Sequence, residues 1–356
     1  MKARHGDRAA RRRRRGGAGP AEVTISYLTK GLGWAPSYRV ALGEGGRLTV
    51  DQNAVVKNEL ADFDGAEVSL ISGYPNVRFS HADDLIALRV QLGIVFLAGE
   101  PGAGRRRGGA AIMSQTIVSN SIAPSSDADD LLPAGEAGAG ADIYYHPAGK
   151  LALREGDALA LRTAAGEADF TRIVQWVILD DRDEYGRPNR GADPDEGEGD
   201  PWDAVAFRNP FDFPLTTAPA SIFEGGRFLG QSQGHWVNPG GQSTLPLTRA
   251  LSVRGIYSES EEQGGREVVF VGGERCRESV VKGEIELANR RGEPVEAVIR
   301  RHFSGALIEA DGDPGERLLS VGATSRNPRN ELVWKVAVPA GETLKLTFRY
   351  KVFVRI

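Results

Sequence analysis

The sequence predicts an all-β protein made of tandem immunoglobulin-like or β-sandwich units, with a long disordered insertion and few helices. Three observations predict this class. Apolar and polar residues alternate with a period of two in many short segments, which puts one face of each segment in a core. Turn-forming residues separate these segments, with 45 Gly and 19 Pro among 356 residues. The best helical pattern is confined to residues 85–96.

The strand patterns begin close to the N-terminus and are separated by turn residues. The first four fall at residues 23–28, 37–42, 48–57 and 66–72. Residues 43–46 predict a hairpin turn, and residues 62–65 predict another. Leucines on both arms of 151–161 predict a further hairpin, and residues 170–179 predict a buried strand. Later strands are predicted near residues 204–209, 218–223, 227–229 and 243–247.

The clearest alternation lies in residues 344–356, where an apolar residue occupies every second position. A second strand pattern at 332–338 precedes it, and residues 339–342 (Pro-Ala-Gly-Glu) supply a turn. These features predict a C-terminal β-hairpin.

A short pattern recurs three times along the chain. An apolar strand ends in Asn, a polar turn follows, and a second strand begins, around Asn58, at residues 209–214 and at residues 289–294. Asn accepts left-handed backbone and bonds its own turn. We expect these segments to occupy equivalent hairpins in related β-sandwiches.

Composition predicts three regions. Residues 1–21 form a basic, disordered tail, and 22–258 form a β-rich region. That region holds a flexible insertion at 99–141 and an acidic loop at 180–200. Residues 259–356 are predicted to form a C-terminal β-sandwich domain.

Bulk properties exclude several classes of protein. Hydrophobic content of 40% and charged content of 26% are typical of a globular chain. A net charge of -4 argues against a global nucleic-acid-binding surface. The single cysteine, Cys276, excludes a disulfide framework and a cysteine-based zinc site. No apolar run is long enough to span a membrane. The basic N-terminus lacks the apolar core of a secretory signal. We expect this sequence to be part of a longer protein that continues upstream of residue 1.

Three local patterns resemble known sites, and each lacks an essential part. Residues 94–106 have the glycines of a phosphate-binding loop, but Arg105 and Arg106 replace its Lys and Ser or Thr. Residues 181–192 begin like a calcium loop but end on Ala192 rather than Glu. The histidines His81, His146, His235 and His302 are scattered. No cofactor, metal site or catalytic residue is therefore predicted.

The third pattern is Gly230-Gln-Ser232-Gln-Gly234, with His235 adjacent, which matches the G-x-S-x-G nucleophile elbow. An elbow needs a helix after its serine, whereas another strand is predicted to follow here. We therefore interpret the segment as a hairpin turn, and a serine hydrolase using Ser232 is the alternative. Trp34, Trp176 and Trp334 lie in or beside strand patterns and are expected to pack in cores.

Several blocks carry a family resemblance. They are residues 27–38 (YLTKGLGWAPSY), 55–58, 66–75, 209–215, 227–231, 283–294 and 332–334. Together they resemble the bacterial family of uncharacterised domains called mucoidy-inhibitor-A-like. The resemblance implies an all-β fold and a cell-envelope location, and it supplies no catalytic residue.

These observations predict a non-enzymatic scaffold or protein-binding module associated with the cell envelope, which contacts partners through sheet edges and strand-end loops. One further alternative is weak nucleic-acid contact through the arginines from Arg11 to Arg15. Partner identity and oligomeric state do not follow from the sequence.

Overall fold

The computed structural model describes residues 24–26, 29, 31–73, 143–180, 182, 199–262, 268–319 and 326–356. The predicted basic tail, the 85–96 helix, the 94–106 loop, the 99–141 insertion and nearly all of the acidic loop lie outside these residues. Backbone contacts divide the chain into two compact units. Unit 1 comprises Met1–Asp169 and Phe207–Ser243, and unit 2 comprises Phe170–Ala206 and Thr244–Ile356.

The described residues form an all-β protein, as predicted. One short 3-10 turn, Glu44–Gly46, is the sole helical element among them. The first nine strands are β1 Leu32–Leu42, β2 Arg47–Asn58, β3 Phe63–Gly73, β4 Ile143–Leu153, β5 Ala158–Ile178, β6 Trp202–Arg208, β7 Ala218–Glu224, β8 Arg227–Gly234 and β9 Gln242–Arg249. The others are β10 Val253–Glu261, β11 Val268–Val271, β12 Glu274–Asn289, β13 Val295–Ser304, β14 Ala306–Ala310, β15 Gly315–Leu318, β16 Arg329–Val338 and β17 Thr343–Arg355.

Unit 1 is built on a sheet with the strand order β8-β7-β1-β2-β5. β1 and β2 form an antiparallel hairpin around the 3-10 turn, which confirms the turn predicted at residues 43–46. β1 also pairs with β7 in parallel. β3 and β4 form a separate two-stranded sheet, which packs against β2 through a small apolar core of Ala54, Val56, Val68, Leu70 and Leu153.

Unit 2 is a β-sandwich. One sheet has the order β15-β16-β13-β5, and the other has the order β10-β12-β17-β14, with β11 also paired to β12. Trp176 and Trp334 from the first sheet and Phe348 from the second are at most 2% exposed in the core between the sheets. Alternation with a period of two therefore directs one face of each strand into a shared interior.

The predicted C-terminal hairpin is wrong in its pairing. Both strands exist, as β16 and β17, and the turn between them is short. However, β16 pairs with β13 and β15, whereas β17 pairs with β12 and β14. The turn therefore carries the chain from one sheet of the sandwich to the other. Alternation identifies the buried face of a strand, but it does not identify the strand's neighbour.

Three other local predictions are corrected. The arms of the 151–161 hairpin are β4 and β5, which pair with β3 and β2 rather than with each other. Residues 62–65 form no hairpin turn, because β3 begins at Phe63 and its register shifts before Ala66. Of the strand predicted at 23–28, residues 24–26 are described, and they are not in a strand.

The three recurring asparagines occupy the same local geometry. Asn58 and Asn289 end β2 and β12, Asn209 follows β6, and all three are at most 4% exposed. Each side-chain NH₂ is within hydrogen-bond distance of one carbonyl just downstream and two consecutive carbonyls of a distant segment. These carbonyls belong to Ala61, Leu153 and Arg154, to Phe213, Val237 and Asn238, and to Glu293, Val338 and Pro339.

Each asparagine also accepts a bond through Oδ1, from the backbone N–H two residues downstream. The donors are Leu60, Phe211 and Arg291. The predicted equivalence of the three segments is therefore present. The expectation that these segments form hairpins is corrected. Each asparagine links the end of a strand by hydrogen bonds to a segment that is distant in sequence.

Candidate functional site

A buried ion-pair cluster joins the two sheets of the unit 2 sandwich. The Glu259 carboxylate is its centre. Oε1 accepts hydrogen bonds from Arg301 Nη2 at 2.7 Å, from Tyr350 Oη at 2.9 Å and from Tyr257 Oη. Oε2 accepts one from Arg182 Nη2 at 3.1 Å. The Arg301 side chain is 0% exposed, and its guanidinium carbon lies 4.6 Å from the centroid of the Tyr257 ring. This cluster is held by charge and hydrogen bonds together.

Strand alternation brings these side chains together. Tyr257 and Glu259 are alternate residues of β10, on the same inward face as the core residue Val253. Arg301 comes from β13, and Tyr350 comes from the central strand β17. The sequence offers no signal for this cluster, because its members come from four separate segments of the chain.

The cluster fixes the charge state of its members. Burial alone would raise the pKa of Glu259, but the charge of Arg301, aided by hydrogen bonds from Tyr257 and Arg301, lowers it. Burial raises the pKa of Tyr257 and of Tyr350. The carboxylate therefore stays charged and both phenols stay protonated at neutral pH, so the cluster suits binding or stability better than proton transfer.

A polar cavity of about 360 Å³ adjoins this cluster. Its walls include Glu259, Glu261, Arg277 and Ser279. Glu261 Oε1 is 2.9 Å from Arg277 Nη2 and also accepts a hydrogen bond from Ser279 Oγ. The charged groups of the wall are thus paired with one another.

A second charged cluster surrounds Glu331 in unit 2. Its side chain is 0% exposed. Oε1 lies 3.3 Å from Arg300 Nη1 and 3.0 Å from His302 Nε2, and Arg317 Nη1 lies 3.5 Å from Oε2. Burial would raise the pKa of Glu331, but the hydrogen bond from His302 and the charge of Arg300 lower it.

Unit 1 contains a serine–histidine pair that no sequence motif indicated. Ser72 Oγ on β3 lies 2.9 Å from His146 Nε2 on β4, and both residues are buried. The imidazole packs edge-on against Phe213, with ring centroids 4.7 Å apart, and lies 6.3 Å from the Trp34 ring. No carboxylate hydrogen-bonds to His146 within the described residues. The pair thus lacks the third group of a catalytic triad in this part of the chain.

The stability of unit 1 is expected to fall in mild acid because of His146. Burial lowers the pKa of this imidazole, so the unfolded chain takes up a proton before the folded one does. The contribution of the neutral His146 imidazole to the stability of unit 1 is complete above the unfolded pKa of about 6.5. It is lost as pH falls from there toward the lowered pKa of the folded state. Urea unfolding midpoints measured across this range should show the decline.

A matched pair of variants tests this assignment. His146→Gln removes the titrating group and should flatten the dependence of the unfolding midpoint on pH below about 6.5. His235→Gln leaves His146 in place and should keep the wild-type dependence. An unchanged pH profile in His146→Gln would assign the decline to other groups.

Ser232 is not at a turn. It lies inside β8, which corrects the hairpin turn predicted at 230–234. Ser232 Oγ is buried and has no hydrogen-bond partner in the described part of the chain. The sharp turn that exposes an elbow serine is therefore absent at this position. The serine hydrolase remains a prediction to be tested by labelling.

β8 is an edge strand, and an aromatic patch adjoins it. In the described sheet it pairs with β7 on one side only. Phe228 on β8 is 60% exposed and packs against Phe223 of β7, with ring centroids 5.7 Å apart. The Arg39 guanidinium lies over the Phe223 ring, 4.1 Å from its centroid. On its outer edge, β8 therefore has backbone N–H and C=O groups that do not pair with β7, and the exposed Phe228 side chain lies beside them.

The other residues singled out by sequence have structural positions. Trp176 and Trp334 lie in the unit 2 core, as predicted. Trp34 is half-buried, packs against the small core of unit 1 and donates to the Ile71 carbonyl. Cys276 is 0% exposed.

No protein-family model matches this chain. No curated protein matches it either. In the described ranges, no group of three or more His, Cys, Asp or Glu side chains could hold a metal ion. The same ranges contain no helix long and apolar enough to cross a membrane.

Proposed function

We propose that this protein is a non-enzymatic scaffold or protein-binding module, in which the outer edge of β8 accepts an extended strand from a protein partner. The proposal rests on the residue types found along this edge. β8 is eight residues long, and no charged residue or proline occurs from Phe228 to Gly234. Natural edge strands usually carry such residues, because they prevent pairing with other chains.

Strand addition would use both the backbone groups along the β8 edge and the exposed Phe228 side chain. The unpaired N–H and C=O groups of an edge supply main-chain hydrogen bonds to an added strand, and side-chain contacts supply selectivity. Phe228 is a large exposed apolar residue at the beginning of this edge. Aromatic residues in such positions contribute a large share of binding energy when a partner covers them.

Selection of peptides from a displayed random library tests the proposal. We expect peptides selected on the wild-type protein to slow hydrogen exchange of the β8 amides, because the added strand bonds to them. The variant Gln231→Lys/Gln233→Lys places two charges on this edge and should lose binding of the selected peptides. Equal binding to both proteins, or protection confined to other strands, would contradict the proposal.

The family resemblance adds a cell-envelope location to this proposal, which fractionation of the source cells tests. A serine-reactive fluorophosphonate tests the hydrolase alternative. We expect no labelling. Labelling that Ser232→Ala abolishes would overturn the non-enzymatic assignment, and labelling lost in Ser72→Ala would point to the Ser72–His146 pair.

A further inference from the structure

The central part of the β8 edge reads the same in both directions. Residues 230–234 are Gly-Gln-Ser-Gln-Gly, with Ser232 at the centre. All five residues lie within β8. Two copies of such a strand, placed antiparallel with Ser232 opposite Ser232, would set each residue against one of its own kind.

We propose that the strand accepted at this edge is the β8 strand of a second copy of this chain, paired antiparallel about a two-fold axis at Ser232. This inference rests on the proposed function, because it names the partner of the same edge. A two-fold axis requires a self-complementary surface. Residues 230–234 meet that requirement, because their sequence is the same in both directions along the strand.

The register also matches the two faces of the strand. Gln231 and Gln233 are exposed, whereas Gly230 and Gly234 are buried. Pairing about Ser232 sets Gln231 against Gln233 of the second copy and Gly230 against its Gly234. Buried residues of one copy therefore lie opposite buried residues of the other, and exposed residues lie opposite exposed ones. A register shift of one residue would set buried positions against exposed positions. Cross-strand amide pairs can hydrogen-bond to each other.

Ser232 supplies an independent observation. Its hydroxyl is buried and has no hydrogen-bond partner in the described residues. Such unpartnered groups are uncommon in folded proteins. Directly opposed residues of an antiparallel pair have Cβ atoms about 4.5–5.5 Å apart, a spacing at which two serine hydroxyls can bond. Ser232 Oγ is enclosed in the single chain, so this bond requires the hydroxyl to turn from the interior toward the outer edge of β8.

Charge does not oppose this pairing. Arg227 is the one charged residue of β8 and lies outside the palindrome. In the antiparallel arrangement, the two copies of Arg227 would lie at opposite ends of the paired segment. A partner strand of unrelated sequence could also bond to the edge backbone. It would not account for the symmetry of the sequence or place a serine opposite Ser232.

Cysteine cross-linking tests the register. Ser232→Cys places two thiols opposite each other at the axis, and we expect a covalent dimer on a non-reducing gel after mild oxidation. Gln233→Cys is the matched control. Its neighbour across the axis is Gln231, and the two introduced thiols of this variant would be too far apart to bond. Wild-type protein, whose Cys276 is buried, should stay uncross-linked. Equal cross-linking of both variants, or of neither, would overturn the inference.

Charge pairs test the same geometry in solution. Gln231→Lys/Gln233→Lys opposes like charges twice and should weaken the dimer about tenfold in sedimentation equilibrium. Gln231→Lys/Gln233→Glu opposes unlike charges twice and should retain it. A wild-type monomer whose β8 amides are still protected by selected peptides would overturn this inference alone. A monomer without such peptides would overturn the proposed function as well.

Discussion

Replacement of Glu259 by Gln is expected to lower the free energy of unfolding of unit 2 by about 3–5 kcal/mol. Arg301 is fully buried, and its Nη2 lies 2.7 Å from the Glu259 carboxylate. Removal of the negative charge leaves the guanidinium desolvated without its counter-ion. Loss of one partner of a buried pair is costly for this reason, even where the intact pair adds little net stability.

Urea unfolding followed by tryptophan fluorescence measures this effect, because Trp176 and Trp334 lie in the same core. The matched control is Glu286→Gln. Glu286 pairs with Lys345 on the exposed face of the sandwich, where the two side chains are 37% and 70% exposed. Solvent screens that pair, so the control should scarcely change the unfolding midpoint. Equal losses in the two variants would contradict the assigned role of Glu259.

The pH dependence supplies a second check on Glu259. Because the pKa of Glu259 is lowered in the folded state, its contribution is complete above the unfolded value of about 4.3. It is lost as pH falls through the folded value. The difference in stability between wild type and Glu259→Gln should therefore shrink in strong acid, provided that both proteins remain folded there.

Replacement of Asn289 by Ala is expected to cost about 2–4 kcal/mol, because it leaves several buried backbone groups unpaired. The asparagine is 1% exposed, lies within bonding distance of three carbonyls and accepts one backbone N–H. Asn53→Ala, at a half-exposed position of β2, is the control and should cost little. A similar midpoint for the two variants would contradict the role given to Asn289.

Asn289→Asp distinguishes hydrogen bonding from packing at this corner. The shape is kept, but a carboxylate oxygen replaces the donor and faces the carbonyls of Glu293, Val338 and Pro339. We expect Asp to be worse than Ala at neutral pH. It should partly recover in acid, where the protonated carboxyl can donate. A loss for Asp that is smaller than that for Ala would indicate that volume matters more than the donor.

The sequence predicted strands much better than their partners. Period-two alternation located β17 almost to the residue, because each side chain faces either the core or solvent. The same pattern cannot distinguish a neighbour within a sheet from a strand in the opposite sheet, and it therefore predicts a hairpin for β16 and β17. The recurring asparagines were found because a turn residue leaves a local signature.

The sites were less predictable than the fold. Ser72 and His146 are 74 residues apart, and Glu259 and Arg301 are 42 apart, so no local motif connects them. Each pair depends on which strands become neighbours. Ser232 illustrates the opposite failure. Its surroundings resemble a motif in sequence, but the residue lies within strand β8 rather than on a turn.

The placement of β17 has a consequence for synthesis of the protein. This strand lies between β12 and β14 in its sheet, yet it follows every other strand of unit 2 in the chain. While β17 is still inside the ribosome tunnel, β12 and β14 each have an unpaired edge and one side of the aromatic core is missing. Unit 2 therefore completes its fold only after β17 emerges, and the nascent chain exposes unpaired strand edges until then.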